Sequence, residues 1–432
     1  MIGRENRVSA GTRKTILTQN NPSEWPLGAS LCSHDDDFRE DPHEIYDRLR
    51  TIAPHLHDAG YGRVLLTRYE DVRAALRHDA LSVDARGSRP ESYTRRIAGT
   101  GVKQNEGDTA YEPPLVLLDD PSHRRIRGLV SKAFTPKAVA AMAPRIGALV
   151  ESLLNRLIDQ STIDFIADFA GPLPTRVIAD MMGLPNEMHA DFKRWSEEIL
   201  MGYDPERSSE VNNALRNAYR ALSRVIQETV ANRRNSPQDD LITGMVEAQE
   251  AGDRLTDLEI ISLCTQLMVA GNVTTTDLIG NGLYALLAHP AQLSALLVEP
   301  ALIDQAVEEM LRFDCPITET ARIVTERLEL NACPIAPADT LTLSMAAANH
   351  DPAYFTKPHE FDLNRTENPH LAFGGGIHVC LGAPLARLEA RIAMRKFLER
   401  FPKVRFAADQ PQRRELPFFR GFRTFPLILI EP

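Results

Sequence analysis

Cysteine is scarce in this chain, and none of it is paired. The five cysteines (Cys32, Cys264, Cys315, Cys333 and Cys380) are scattered, odd in number and free of any C-x-x-C pair. That spacing speaks against a zinc site or a disulfide framework and for a reducing, cytoplasmic setting. There is no excess of positive charge either: the formal net charge of −10 argues against nucleic acid as a partner. Residues 1–20 are polar and mildly basic without an apolar run, so neither a signal peptide nor a membrane anchor is expected there, only a loose arm. Internal repeats, low-complexity tracts and Gly/Ser linkers are also absent. Although the length alone would allow two or three domains, residues 21–432 are therefore expected to form one. With 43% hydrophobic and 25% charged residues, the remainder has the composition of a globular chain with a large core.

Helical periods dominate the pattern. Short helices are expected over 44–49 and 69–77, a stronger one over 145–160, and more between 165 and 234. Strands are expected over 63–67, 322–324, 328–330 and 340–344. The stretch 84–108 has no period and reads as a surface loop carrying Arg86, Arg89, Arg95 and Arg96. The tail from Pro417 to Ile430 reads as a hairpin with an aromatic tip, Phe418 to Phe422. From Thr256 to His289 runs one long segment that is apolar nearly all round, the mark of a helix through a core. Thr256 and Glu259 form a capping box at its start, and Pro290 ends it. Asn272, Thr274, Thr275, Thr276 and Asp277 at its middle argue against a membrane span.

The densest chemistry lies at Phe373-Gly374-Gly375-Gly376-Ile377-His378-Val379-Cys380-Leu381-Gly382. Consecutive glycines let the backbone take φ > 0 and lie close to a flat ligand. A helix with Pro384 near its start follows, placing Cys380 just before a helix N-terminus that favours a thiolate. On the residues alone, Cys380 is an inert buried thiol, a nucleophile paired with His378, or an iron-bound thiolate. Elsewhere, His123 and Arg127 stand at i, i+4 and share a helix face, Glu309 and Arg312 stand at i, i+3, and Arg365 follows in Phe361-Asp362-Leu363-Asn364-Arg365. Read bare, these are a solvated basic face and a surface ion pair. Ala270-Gly271-Asn272-Val273-Thr274 reads bare as a weakened, bent stretch of core helix.

Phe-Gly-x-Gly-x-His-x-Cys-x-Gly, filled by Phe373, Gly374, Gly376, His378, Cys380 and Gly382, resembles the haem-binding loop of the cytochrome P450 family. The other motifs occur in that family's order, so the resemblance covers the chain from about Asp41 onward. It implies a mainly α fold with a minor β-region, with haem b sandwiched between the long central helix and the helix after the cysteine loop. It implies Cys380 as the iron ligand, and His123, Arg127, Arg322 and His378 as holders of the propionates. Ala270, Gly271 and Thr274 fall in the oxygen-binding segment, with Thr274 helping to deliver protons. Val273 stands where the family has an acid; Asn272 and Asp277 are the candidate substitutes. Glu309, Arg312 and Arg365 are implied as structural, and Asn349-His350-Asp351-Pro352 resembles a family turn that carries arginine where this chain has His350. The implied activity is a monooxygenase of the soluble bacterial type. It inserts one atom of O2 into a small organic substrate with electrons from a ferredoxin and its NAD(P)H-dependent reductase. Arg387, Arg391 and Arg395, with Arg124 and Arg125, are the candidate docking face. Leu267, Ile317 and Phe419 are candidates for the substrate pocket. The alternative is an acid-independent haem-thiolate enzyme, either a peroxide-driven oxygenase or an NADH-dependent nitric oxide reductase; a haem-binding carrier or sensor is the reading from outside enzymology.

Overall fold

The computed structural model describes residues 12–98, 112–250, 255–331 and 333–430. It is organised around the helix Asp257–Ala288, about 48 Å long at the α-helical rise. Its start is fixed as the sequence implied. The Thr256 hydroxyl accepts the Glu259 N–H, and the Glu259 carboxylate accepts the Thr256 N–H at 2.8 Å. Pro290, which begins the next helix, cannot continue the ladder. Both ends of the central turns are apolar and buried, because the helices Pro172–Met182, His189–Leu200, Ser209–Asn235, Ile303–Phe313 and Ala383–Arg400 pack around it. Among the described residues, no helix is long and apolar enough to cross a membrane.

A five-stranded sheet stands to one side, in the order His55–Asp58, Arg63–Leu66, Thr340–Ser344, Glu319–Val324, Leu81–Ser82. Arg63–Leu66 runs parallel to Thr340–Ser344, and the other pairs are antiparallel. The register sets Arg322 opposite Leu341 and carries the arginine inward, with only 5% of its surface exposed. The expected strands at 63–67, 322–324, 328–330 and 340–344 are all present, the second beginning earlier, at Glu319.

Three expectations are corrected. Part of the N-terminal arm is ordered: Thr12–Thr18 form a helix whose Ile16 is fully buried, tied down by Arg13 to Glu44 at 2.6 Å. The stretch 84–98 is not plain loop. It carries the 3-10 turn Ala85–Gly87 and the short α-helix Tyr93–Ala98 and buries Ser88, Ser92, Tyr93 and Thr94; residues 99–108 of the expected loop lie outside the described residues. Its period was hidden because hydroxyl side chains fill the inward positions and bond to one another, as Thr94 does to Thr340 at 2.8 Å. The C-terminal strands do not pair with each other. Phe422–Thr424 pairs with Gln412–Arg413, while Pro426–Ile428 lies between Thr162–Asp164 and Arg405–Phe406. The hairpin therefore begins before the expected Pro417, at Gln412–Arg413.

Candidate active site

The loop before the last long helix is held by its glycines. Gly374 and Gly376 adopt φ of +70° and +67°, a region strained for residues with a Cβ. A Cβ on Gly376 would also run into the Leu76 carbonyl oxygen. The Cys380 N–H donates to Phe373 O at 2.9 Å and closes the loop. Arg387 lays its guanidinium over the Phe373 ring, 4.5 Å from the centroid. Three of the five cysteines are buried and Cys333 partly so, whereas Cys380 is exposed.

The surroundings of Cys380 pull two ways. Low-dielectric surroundings push its thiol up; the N–H groups of Gly382 and Ala383 and the charges of Arg127 and Arg387 oppose this without overcoming it. A thiol so placed is a poor free nucleophile, but its donors and cations suit a thiolate neutralised by a metal. His378 does not serve as its base. The ring packs at a tilt against His123, 4.3 Å between centroids, and burial together with Arg322 and His123 holds it down at about 4.

Beside this loop four basic side chains converge, His123, Arg127, Arg322 and His378, and the one ion pair they make among the described residues is His123 Nδ1 to Asp120 at 3.6 Å. His123 is 2% exposed, and its Nε2 is buried with no hydrogen-bond partner. Arg322 bonds only to Thr320 Oγ1 at 3.3 Å and Ala321 O at 2.8 Å, and burial lowers it to about 10 against the weak pull of Asp119. Asp119 is already engaged by Ser82 and the Val83 N–H. Arg127 donates to Val379 O at 2.6 Å. Among the described residues no carboxylate pairs with Arg322 or Arg127. A buried guanidinium at Arg322, a half-buried one at Arg127 and an orphaned imidazole nitrogen fit a ligand bearing two carboxylates, as haem does.

On the central helix, Ala270 is exposed and Gly271 and Thr274 are half-exposed between buried neighbours. Thr274 Oγ1 donates to Ala270 O at 2.6 Å, and Thr276 Oγ1 to Asn272 O at 3.0 Å; such back-bonding loosens the helix locally. Two of the candidate proton carriers point elsewhere. Asn272 is buried, its Oδ1 accepting from Thr175 at 2.9 Å on the helix Pro172–Met182. Asp277 is fully buried against Arg414, 3.1 Å away, directly beneath Gly421. Burial raises it to about 7, with Arg414 opposing. The open side of Gly271 faces Ile178, and Val273 is buried. The sequence provides the phase of the helix but not which neighbour each face meets.

Glu309, Arg312 and Arg365 do come together. Arg312, with no exposed surface, makes a two-point contact with Glu309 at 2.8 Å and donates to Asn349 O and Pro358 O. Arg365 Nε reaches the same carboxylate at 3.1 Å. Asn368 and the Asp362 N–H complete its shell. Ile317 and Phe419 are bridged backbone to backbone, and Leu267 is half-buried one turn before Gly271. Tyr203, which the sequence did not single out, packs edge-on to Phe419 with centroids 5.3 Å apart; no motif surrounds it. The expected basic docking face is largely neutralised. Arg387 pairs with Glu308 at 2.6 Å, Arg391 with Asp304 at 2.6 Å, Arg395 with Glu399 at 2.9 Å and Arg124 with Asp120 at 2.6 Å. Arg125 pairs with Glu259, and the loop arginines Arg86 and Arg89 pair with Asp84 and Asp339.

Comparison with known proteins points the same way. The Cytochrome P450 family model matches residues 37–422. Cytochrome P450 107B1 of Saccharopolyspora erythraea is 37% identical over 406 residues, covering 92% of this chain and 97% of that one. The 6-deoxyerythronolide B hydroxylase of the same organism is 35% identical over 400 residues, covering 91% and 97%. Among solved structures, P450BioI in complex with an acyl carrier protein ligated to hexadec-9Z-enoic acid aligns with a TM-score of 0.83 at 34% identity, covering 91% of this chain and 100% of that one. This chain, with its cysteine loop set against a long central helix, belongs to the cytochrome P450 family of monooxygenases.

Proposed function

We propose that the enzyme holds haem b between the central helix and the Ala383–Arg400 helix, with Cys380 on the iron. There it inserts one atom of O2 into a small, largely apolar substrate, using single electrons from a ferredoxin and its NAD(P)H-dependent reductase. The observation that carries this reading is the cluster of His123, Arg127, Arg322 and His378 beside Cys380, in which neither guanidinium has a carboxylate partner among the described residues and His123 Nε2 is buried without a hydrogen bond. When bound, the haem supplies oxygen activation, and a thiolate ligand favours O–O cleavage. The N–H groups of Gly382 and Ala383 stabilise the charge on Cys380. The basic cluster orients the carboxylates. Thr274 Oγ1 donates its hydroxyl hydrogen bond to Ala270 O and presents the proton by rotation about χ1. With Asn272 and Asp277 engaged elsewhere, water is the carrier that supplies Thr274. Leu267, Ile317 and Phe419, with Tyr203 behind them, favour an apolar ligand. The five unpaired cysteines support a cytoplasmic setting.

A ferredoxin would meet carboxylates as well as arginines on the expected docking face, so salt should weaken that encounter only modestly. Val273, buried where an acid would feed protons, favours a second reading, peroxide-driven oxygenation or NADH-dependent nitric oxide reduction. Myristic acid and testosterone, held by the structural neighbours CYP267B1 and CYP109E1 respectively, serve as probes. Product is measured per NADH under labelled O2 with a ferredoxin and its reductase. One labelled oxygen per product with high coupling supports the proposal; NADH consumed without product, together with product formed from added peroxide, overturns it in favour of the second reading.

A further inference from the structure

His350, where the resembling turn has arginine, is buried and meets two histidines from distant parts of the chain. His43 begins the helix His43–Ile52, and His359 follows nine residues after His350 on an exposed loop. Ring centroids lie 3.9 Å apart for His43–His350, 5.3 Å for His350–His359 and 5.7 Å for His43–His359. One ring nitrogen of each lies within 4.8 Å of those of the other two.

Hydrogen-bond partners fix the tautomers. His350 Nε2 is 2.9 Å from Phe313 O, which can only accept, so Nε2 carries the proton and Nδ1 of the neutral ring is a bare lone pair. His359 Nε2 is 2.8 Å from Asp47 Oδ2, which assigns it the same tautomer. The two Nδ1 atoms nevertheless face each other at 3.3 Å, where bare lone pairs repel. A proton on His359 would satisfy that one pair, but it would leave His43 Nδ1, which is buried with no hydrogen-bond partner, orphaned. A cation among the three nitrogens satisfies all of them.

We infer that His43, His350 and His359 form a binding site for a divalent transition-metal ion, with zinc the best fit to three neutral imidazoles. The outer partners are of the kind that orient metal-bound imidazoles: a carboxylate on His359 and a backbone carbonyl on His350. A cleft of about 460 Å³ opens onto His43 and His359, and Asp41, Glu44 and Asp47 line it, which gives a cation an acidic approach and leaves room for water in a fourth position. The arginines on its wall are paired, Arg420 and Arg413 with the one carboxylate of Asp314 at 2.5 and 3.1 Å and Arg13 with Glu44 at 2.6 Å. Binding opens His43 from its stack on His350. The ion then ties the helix His43–Ile52 to the turn that Arg312 anchors through Asn349 O and Pro358 O, so the site is a clasp remote from Cys380.

The test uses tag-free, haem-loaded protein stripped with a chelator and titrated with zinc chloride by calorimetry; zinc retained after gel filtration is then counted. The expected result is a single tight site per chain. Asp47→Asn, which removes the carboxylate behind His359, should weaken it about ten- to a hundredfold. His359→Ala, at an exposed position, should abolish retention while the haem spectrum stays unchanged. Zinc should also raise the melting temperature of the parent but not of His359→Ala. No retained zinc, or retention that is equal in His359→Ala, overturns the assignment. Either result leaves the haem site unaffected, so failure here is distinguishable from failure of the proposed activity.

Discussion

Replacing Arg322 by leucine should move two stabilities in opposite directions. Arg322 is 5% exposed and has no carboxylate partner among the described residues. Its fall from 12.5 to about 10 corresponds to roughly 3 kcal/mol spent keeping the charge in place without an anion. Leucine removes that burden, so the haem-free protein should be no less stable, and up to about 3 kcal/mol more so. The haem-loaded protein loses a hydrogen bond between charged groups, worth about 1.5–3 kcal/mol, so haem affinity should drop roughly 10- to 150-fold. The first quantity is read from urea unfolding of the haem-free form, the second from the rate of haem transfer to an excess of an apo-globin. Unchanged haem loss would refute the assignment of Arg322 to a propionate. A large fall in the stability of the haem-free form would mean that the guanidinium holds the sheet instead.

Four further outcomes are expected. Arg312→Met strands the buried Glu309 carboxylate with fewer partners and should cost about 3–5 kcal/mol, seen as a lower melting temperature with the same haem spectrum. Gly376→Ala meets both a positive φ and the Leu76 carbonyl; about 2–5 kcal/mol of strain and overpacking should appear as reduced haem content. Asp277→Asn should leave product per NADH unchanged, whereas Thr274→Ala should lower that ratio; a shift in coupling with Asp277→Asn would return it to the proton path. Burial pushes Glu308 up, but hydrogen bonds from His370 and Arg387 outweigh this and hold it at about 2 rather than 4.5. Because its folded pKa is depressed, its stabilisation is complete above pH 4.5 and is lost as pH falls toward 2. Glu308→Gln should flatten that limb of the stability profile by about 1–2 kcal/mol, allowing for solvent screening.

Features coded within a few residues were legible in the sequence. The Thr256–Glu259 capping box, the Gly374–Gly376 turn ahead of Cys380, and the Glu309–Arg312 pair each depend on neighbours one helical turn away. Arg365 was legible only because a motif order placed it. What the sequence concealed depends on which faces meet. Helical phase separates Asn272 from Thr274 but cannot say that Thr175 lies across from it. The arginines at 387, 391 and 395 form a clear stripe, yet the partners of the first two, Glu308 and Asp304, sit on another helix. The tail strands were misassigned because pairing partners from residues 162–164 and 405–413 intervene. His43, His350 and His359 share no spacing that would mark them as a group.

The measurement closest to the central claim is iron K-edge X-ray absorption on the haem-loaded protein and on Cys380→His. The account predicts one sulfur neighbour at the iron in the parent, replaced by nitrogen in the variant, with monooxygenase turnover lost. An iron without sulfur in the parent, or one that keeps sulfur after Cys380 is replaced, would contradict it.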